Sequence, residues 1–314
     1  MIKLGVVMDP IGSINPKKDS TLAMLIEAQA RSWQLYYMEQ RDLYLKDNRS
    51  CAHMQRLKVH DDPNRWYELT ADDHRPLADL DVILMRKDPP FDIEYIYTTH
   101  LLELAEREDV LVVNSPQALR DANEKLSTAW FPQCTAPCLV TRDARQIRSF
   151  IAEQRDIILK PLSAMGGESI FRVRQDEPNI NVIIEVMTEH GKKFVMAQRY
   201  IPEISEGDIR ILLIDGEAVP YALARIAAPG ETRANLATGG TGVGVQLSER
   251  QQWICSEVGP KLKAMGLIFV GLDVIGDFLT EINVTSPTCV RELDALYDMN
   301  ISAILMDKIE ARLA

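Results

Sequence analysis

Three oxygen-bearing side chains lie close together near the end of this 314-residue chain. In the stretch from Gly271 to Arg291, G-L-D-V-I-G-D-F-L-T-E-I-N-V-T-S-P-T-C-V-R, two short apolar runs flank Gly276-Asp277, the pattern of a β-hairpin. A period of two puts Glu281 and Asn283 on one face, with Ile282 and Val284 on the other. Asp273 lies on the opposite arm. A three-residue loop, Gly276 to Phe278, sets Asp273 across from Glu281 on the same face. A two-residue Gly276-Asp277 turn sets it on the wrong face, so a loop of odd length is expected. Three oxygen ligands on a rigid ribbon suit a hard cation such as Mg²⁺, which takes one or two carboxylates together with phosphate oxygens and water. A polar strand face turned to solvent fits the same spacing. The hydroxyl-rich turn that follows, Val284-Thr285-Ser286-Pro287-Thr288, can hold a small polar substrate.

The elements that must position this hairpin alternate between strand and helix patterns. Ile2 to Met8 reads as a strand ending in the turn-rich loop Asp9 to Pro16. Asp19 or Ser20 can cap a helix with Leu22, Leu25 and Ile26 on its apolar face, and Leu35 to Met38 is the next strand. This is the opening of an open α/β sheet, in which ligands sit beyond the C-terminal strand ends, so Ser13 and Asn15 are candidates. No G-x-G-x-x-G pattern supports a dinucleotide. Residues 46 to 75 read as a polar, irregular surface excursion in which His53 and His60 are solvated. Leu80 to Met85 is a buried strand running into Arg86-Lys87-Asp88-Pro89-Pro90; this is either a rigid loop presenting Arg86 and Asp88 to a cleft or a plain surface loop. Tyr95 to Glu106 reads as a helix and Val110 to Val113 as a strand. Ser115-Pro116 opens a helix that reaches Lys125. Composition shifts through Pro132 and Pro137.

Beyond that shift come a strand at Cys138 to Thr141, a helix from Ala144 to Gln154, and the strand Ile157 to Pro161 ending in Lys160. A Gly166-Gly167 pair and the strand Ile170 to Val173 follow, placing Lys160 and the glycines in a hairpin rather than before a helix. Small residues there let backbone N–H groups approach phosphate, although an ordinary turn has the same look. Phe194 to Pro202 is a strand whose end could offer Gln198 and backbone groups to an adenine edge, or simply stop at proline. Asp208 and Arg210 enter the strand Ile211 to Ile214, and Arg225 lies on Val219 to Ile226. Residues 230 to 244 hold five of the sixteen glycines and little large apolar side chain. A mobile lid over 226 to 244 is expected, with Arg233 and Gly239-Gly240 suited to anion capture. Helices are expected over Glu249 to Met265 and Tyr297 to Leu313.

Composition narrows the partners. Apolar content of 46% and charged content of 26% suit a globular protein, and the net charge of −11, with no basic stripe, argues against nucleic acid. No run approaches the roughly 20 apolar residues of a membrane span, and the N-terminal apolar run is too short for a signal peptide. A cytoplasmic protein with no membrane partner is expected. Cys51, Cys134, Cys138, Cys255 and Cys289 are scattered and read as reduced thiols, with Cys289 beside the presumed chemistry.

Several of these segments together resemble a known family. Lys125, K-P-L-x-x-M-G-G at 160 to 167, A-Q-x-Y at 197 to 200, D-x-R at 208 to 210 and G-L-D…T-E-I-N-V-T-S-P-T-C at 271 to 289 resemble the ATP-grasp ligases. With M-R-K-D-P-P-F-D at 85 to 92, they look like the bacterial glutathione synthetases, and the resemblance runs end to end. It implies an α/β (α+β grasp) fold: an N-terminal open α/β domain over 1–122, a central ATP-grasp lid over 123–203 and a C-terminal ATP-grasp catalytic domain over 204–314. It also implies a homotetramer, with ATP and Mg²⁺ (or Mn²⁺) as cofactors and γ-glutamylcysteine and glycine as substrates. Lys125, Lys160, Gly166 and Gly167 would then meet the nucleotide phosphates. Gln198 with Arg199, Tyr200 and Ile201 would hold adenine, and Asp208 the ribose. Asp273, Glu281 and Asn283 would bind the metal. Arg210, Arg225 and Arg233 would face the transferred phosphoryl and substrate carboxylates. Ser13, Asn15, Arg86, Gly239, Gly240, Ser286 and Thr288 are the substrate-side candidates. The implied reaction phosphorylates the cysteinyl carboxylate, and the glycine amine then attacks the acyl phosphate. Ser163-Ala164 replaces the family's usual Asp-Gly, and Thr241 replaces a usual basic residue. Two other readings share the motifs: another carboxylate–amine ligase of the fold, such as a D-alanine–D-alanine enzyme, or an ATP-binding regulatory module without catalysis.

Overall fold

Alternating apolar strands build three sheets in a computed structural model that describes residues 1–163, 167–227 and 240–314. The first contains β1 (Lys3–Met8), β2 (Gln34–Met38), β3 (Leu43–Lys46), β4 (Arg49–Val59), β5 (Tyr67–Pro76), β6 (Val82–Arg86) and β7 (Leu111–Val113). Its order is β3-β4-β2-β1-β6-β7, with β5 paired to β4. The centre is parallel, β2-β1-β6-β7, as expected for an open α/β sheet. The stretch 46 to 75 corrects the reading of an irregular excursion. β4 and β5 form an antiparallel pair along most of it, from Cys51 opposite Pro76 to Val59 opposite Tyr67. The signal was the buried set Ala52, Met54, Leu57 and Val59, diluted by the polar residues between them. His53 and His60 are paired there with Asp72 (3.2 Å) and Glu68 (3.0 Å) rather than merely solvated.

The second sheet, order β10-β9-β11-β8, is antiparallel: β8 (Cys138–Thr141), β9 (Asp156–Pro161), β10 (Phe171–Arg174) and β11 (Val195–Arg199). One face, with Ile157, Leu159, Val173, Val195 and Ala197, packs with Ile147, Ile151 and Ile184 from the helices Ala144–Gln154 and Ile180–Met187 into a separate core. The opposite face therefore carries Ile158, Lys160, Met196 and Gln198, with Lys160 directly across from Met196. The third sheet holds β12 (Asp208–Ile214), β13 (Glu217–Ala218), β14 (Tyr221–Ile226), β15 (Thr241–Gln246), β16 (Phe269–Ile275) and β17 (Phe278–Asn283). Its order is β15-β14-β12-β16-β17, with β13 on β12. Apolar side chains of the first and third sheets share two continuous cores. Leu4 and Leu84 join Leu212 and Phe269 in one, and Ile83 and Met85 join Leu272 and Ile282 in the other.

The helices are α1 (Ser20–Ala30), α2 (Ile93–Glu106), α3 (Pro116–Asp121), α4 (Ala144–Gln154), α5 (Ile180–Met187), α6 (Glu249–Ala264), α7 (Val290–Tyr297) and α8 (Ile301–Leu313). Asp19 caps α1 by accepting Leu22 N–H at 2.6 Å. Three expectations are corrected. Pro116 does occupy the first turn of α3, but Ser115 makes no side-chain cap bond. Lys125 lies outside α3, which stops at Asp121, and instead precedes a separate 3₁₀ turn from Leu126 to Trp130. The closing helix starts at Ile301 rather than Tyr297: Tyr297 ends α7, Asp298 takes a left-handed φ of 51° and Asn300 caps α8. The reading of a lid over 226 to 244 falls largely outside the described residues; of its C-terminal part, Thr241 to Gly244 belong to β15. Among the described residues no helix is long and apolar enough to cross a membrane.

Burial and the neighbouring Glu103 push the Glu106 carboxyl at the end of α2 up to about 7. The folded state therefore holds a proton that the unfolded chain releases, and this contribution to stability fades as pH rises from about 4.5 through 7. Glu106→Gln should consequently gain on the wild type by about 1 kcal/mol at pH 8 relative to pH 5, after allowance for solvent screening. Denaturant melts at the two pH values would show this, and an equal difference at both would contradict it.

Candidate active site

The metal-type hairpin forms with the expected facing but by a different device. β16 and β17 meet in a two-residue Gly276-Asp277 turn, with Gly276 at a φ of +53°, not in a three-residue loop. A β-bulge at Thr280 adds the missing residue: Val274 pairs with Leu279, and Asp273 with Glu281. The Thr280 hydroxyl donates to the Asp273 carbonyl at 3.0 Å and holds the bulge. Asp273, Glu281 and Asn283 thus share a face.

That face continues across four strands. Register places Arg210 opposite Asp273 and Arg225 opposite Asp208, while Asp208 and Arg210 are two apart on β12. Arg210 donates to both Asp273 oxygens (2.5 and 3.0 Å), and Arg225 reaches Asp273 at 2.8 Å and Asp208 at 2.5 Å. All four are buried or nearly so. Burial opposes the charge on Asp273, yet Arg210 and Arg225 together hold its carboxyl well below the usual carboxylate range. Burial pushes Asp208 up to about 7, because Arg225 offsets it only partly and Asp273 and Glu281 add repulsion. Among the described residues the buried Asp208 Oδ1 atom has no hydrogen-bond partner. Gly271 keeps the face flat, since a Cβ there would stand 3.1 Å from Arg210 Cδ and 3.0 Å from Pro287 Cβ.

Two lysines close over the carboxylates. Lys125 and Lys160 approach Glu281 at 3.6 and 3.8 Å, and Lys160 also donates to the Thr280 carbonyl at 3.3 Å. Burial lowers the pKa of Lys160. Asn283 uses its amide N–H on the Gly271 carbonyl at 3.2 Å. Among the described residues no three His, Cys, Asp or Glu side chains form a metal-binding group. Here the donors would be two carboxylates and an amide oxygen, and a hard cation would complete its shell with substrate oxygens and water.

The other candidates divide. Arg86, buried at the end of β6, donates to Thr21 Oγ1 (3.0 Å) and to the Pro287 carbonyl (2.8 Å), which ties it to the turn bearing Ser286 and Thr288. Burial lowers its pKa, and among the described residues it has no ion-pair partner. Gln198 is buried on the same sheet face as Lys160. The N–H groups of Arg199 and Tyr200 already donate to Pro137 and Asp156 carbonyls (2.9 and 3.0 Å), and the Ile201 carbonyl accepts the Ile204 N–H at 3.2 Å. Ser13 and Asn15 are exposed and bond only within their own loop. Gly167, with a φ of +80°, and Gly240 are described. Gly166, Arg233 and Gly239 lie outside the described residues. The Cys289 thiol, which burial pushes up, is a left-handed residue before α7.

One neighbour was not singled out from the sequence. Glu124 accepts a 3.0 Å bond from the Thr285 hydroxyl, and its carbonyl accepts the Ile282 N–H at 2.8 Å. Burial, then Glu281, pushes its carboxyl up to about 7. Nothing local marks it: an acid beside Lys125 reads as a solvated pair.

Family comparison accords with this geometry. The model of the prokaryotic glutathione synthetase N-terminal domain matches residues 2–120, and that of the family's ATP-grasp domain matches 124–298. The chain belongs to the prokaryotic glutathione synthetase family. It is 62% identical over 313 residues to a glutathione synthetase of Pseudomonas aeruginosa, covering 100% of this chain and 99% of that one. It is 58% identical to one from Escherichia coli at the same coverage. The fold is that of ATP-grasp ligases. D-cycloserine synthetase superposes with a TM-score of 0.69 over 99% of this chain and 100% of that one, at 13% identity. D-alanyl-alanine synthetase A of Vibrio cholerae does so at 0.61 over 99% and 98%, also at 13% identity. The chain is thus an ATP-grasp ligase acting on small molecules, and the D-alanine alternative shares only its fold.

Removing the charge that Arg210 and Arg225 share leaves the buried Arg210 guanidinium without its carboxylate and Arg225 with Asp208 alone. Asp273→Asn should therefore destabilise the fold by about 3 kcal/mol. Urea denaturation measures this, and a variant as stable as wild type would show that the two arginines are not held by this carboxylate.

Proposed function

We propose that this site joins γ-glutamylcysteine to glycine with ATP, by way of an acyl phosphate. The observation that carries the reading is the single charged face shared by Asp208, Arg210, Arg225, Asp273, Glu281 and Asn283, roofed by Lys125 and Lys160. A free carboxylate is a poor electrophile, and phosphorylation gives it a leaving group. The chain's task is to bring two anions together and to neutralise them. Lys125 and Lys160 supply positive charge to nucleotide phosphates. The orphaned Asp208 Oδ1 suits a ribose hydroxyl, and Gln198 with Ile201 suits adenine. Asp273, Glu281 and the Asn283 oxygen fit a divalent cation, for which Mg²⁺ is the candidate; when bound it supplies charge neutralisation to phosphate oxygens.

Arg210 and Arg225 sit where the transferred phosphoryl would be steadied, and the unpaired buried Arg86 suits a substrate carboxylate at the Ser286–Thr288 turn. Ser13, Asn15 and Gly240 remain substrate-side candidates on the strength of the resemblance alone. The units 1–122, 123–203 and 204–314 would close around the nucleotide, the last two bearing its site. Family membership also supports a homotetramer and a cytoplasmic setting. Light scattering at monomer mass would remove the first, and recovery in the periplasmic fraction the second.

ADP release measured with Mg-ATP and γ-glutamylcysteine should depend on added glycine. Release with another amino acid but not glycine would discard the substrate assignment, and ATP binding without release would favour a regulatory module. Glu281→Ala should lower this turnover by on the order of 100-fold or more while the circular dichroism spectrum stays unchanged. Retained turnover would remove Glu281 from the metal set.

A further inference from the structure

The turn from Thr285 to Thr288 follows the ligand strand directly, yet its own backbone is not part of any sheet. Two contacts fix where it points. Arg86 grips the Pro287 carbonyl from the first sheet at 2.8 Å. At the turn's other end, the buried Thr285 hydroxyl donates to Glu124 Oε1 at 3.0 Å. Glu124 is itself anchored, since its carbonyl takes the N–H of Ile282, the residue between Glu281 and Asn283, at 2.8 Å. Its neighbour Asn123 pins the same segment: its oxygen accepts the N–H groups of Lys125 and Leu126 (3.1 and 2.9 Å), and its amide donates to the Leu162 carbonyl at 3.2 Å. One short segment, 123 to 126, is therefore bonded to the ligand strand, to the end of the Lys160 hairpin and to the hydroxyl turn.

We infer that Glu124 is a positioning residue for the acid substrate: through Thr285 it sets the Ser286–Thr288 turn against Arg86, and so governs binding of the γ-glutamyl dipeptide rather than of ATP. The inference rests on the reading of this turn as the substrate side of the site. Most of the nucleotide groups come from elements outside the 123–126 segment. Lys160 and Gln198 stand on the second sheet, Asp208 on the third, and Lys125 donates its backbone N–H to the Asn123 side-chain oxygen. A buried carboxylate with a hydroxyl donor is costly to leave half-paired, so removing either partner should release the turn. Because the two side chains act through one bond, their removal should not add.

Steady-state kinetics of the full-length chain test this with Glu124→Ala, Glu124→Gln, Thr285→Val and the Glu124→Ala/Thr285→Val double variant. Glu124→Ala and Thr285→Val should each raise KM for γ-glutamylcysteine by about tenfold with KM for ATP within about twofold, and the double variant should be no worse than either single one. Glu124→Gln keeps an acceptor for the Thr285 hydroxyl and should recover most of the dipeptide affinity. A purely structural role would instead lower stability or move both KM values together, and additive effects in the double variant would break the coupling; either result overturns the inference. Should Glu124→Ala not fold, Thr285→Val and Glu124→Gln still decide it, since unchanged dipeptide KM in Thr285→Val contradicts it. Wild-type protein without dipeptide-dependent turnover would overturn the functional reading itself, and the inference with it.

Discussion

The Asp273 carboxylate, gripped by two arginines, is the constraint on which the site depends. Arg210 comes from the strand beside it and Arg225 from the strand beyond, so one side chain fixes the relation of β14, β12 and β16. Buried ion networks of this kind seldom add stability over apolar packing, because desolvation costs about as much as the attraction returns. The chain keeps one here in a sheet whose cores are otherwise mostly apolar. That cost is intelligible if the face must meet polyanions. Preset guanidiniums and carboxylates need no reorganisation when phosphate charge arrives, and a low-dielectric wall strengthens each contact.

The bulge at Thr280 shows how a small irregularity serves that constraint. With a two-residue turn and no bulge, Glu281 and Asp273 would face opposite sides of the sheet. The extra residue rotates Glu281 and Asn283 into line, and Thr280 spends its hydroxyl on the Asp273 carbonyl rather than on solvent. The central sheet has its own core, whereas the outer two share theirs. The charged face of the third sheet and the Lys160–Gln198 face of the second are thus carried by separately packed bodies, and Glu281 with its two lysines spans the gap.

Much of this was legible in the residues. Strands from Lys3 to Met8, Cys138 to Thr141 and Asp208 to Ile214 carry unbroken apolar runs, and helix α4 matches its expected bounds to the residue. The facing of Asp273 and Glu281 was also readable, because burial of Ile282 and Leu272 demands it. What was missed has physical reasons. A bulge and a longer loop restore the same parity, so alternation cannot tell them apart. β4 mixes its buried residues with charged and polar ones, and β5 has no buried residue at all, so neither shows a clean apolar pattern. Glu124 owes its place to Thr285, 161 residues away, and no local spacing encodes that distance. The last helix starts at Ile301 rather than Tyr297 because Asp298 adopts a left-handed conformation, which is uncommon outside glycine and therefore hard to foresee.

The arrangement of charge also bears on which atom receives the phosphoryl group. Arginines and lysines on this face can steady an anionic acceptor beside phosphate, whereas an amine acceptor would bring positive charge to a face that already has it. This favours the proposal that the phosphoryl passes to a substrate carboxylate oxygen before the amine attacks. Isotope transfer tests this directly. With γ-glutamylcysteine carrying ¹⁸O in its cysteinyl carboxylate, one labelled oxygen should appear in each inorganic phosphate released as the amide forms. Phosphate free of label, with amide formed at the normal rate, would contradict activation at the carboxylate and the reading of the site built on it.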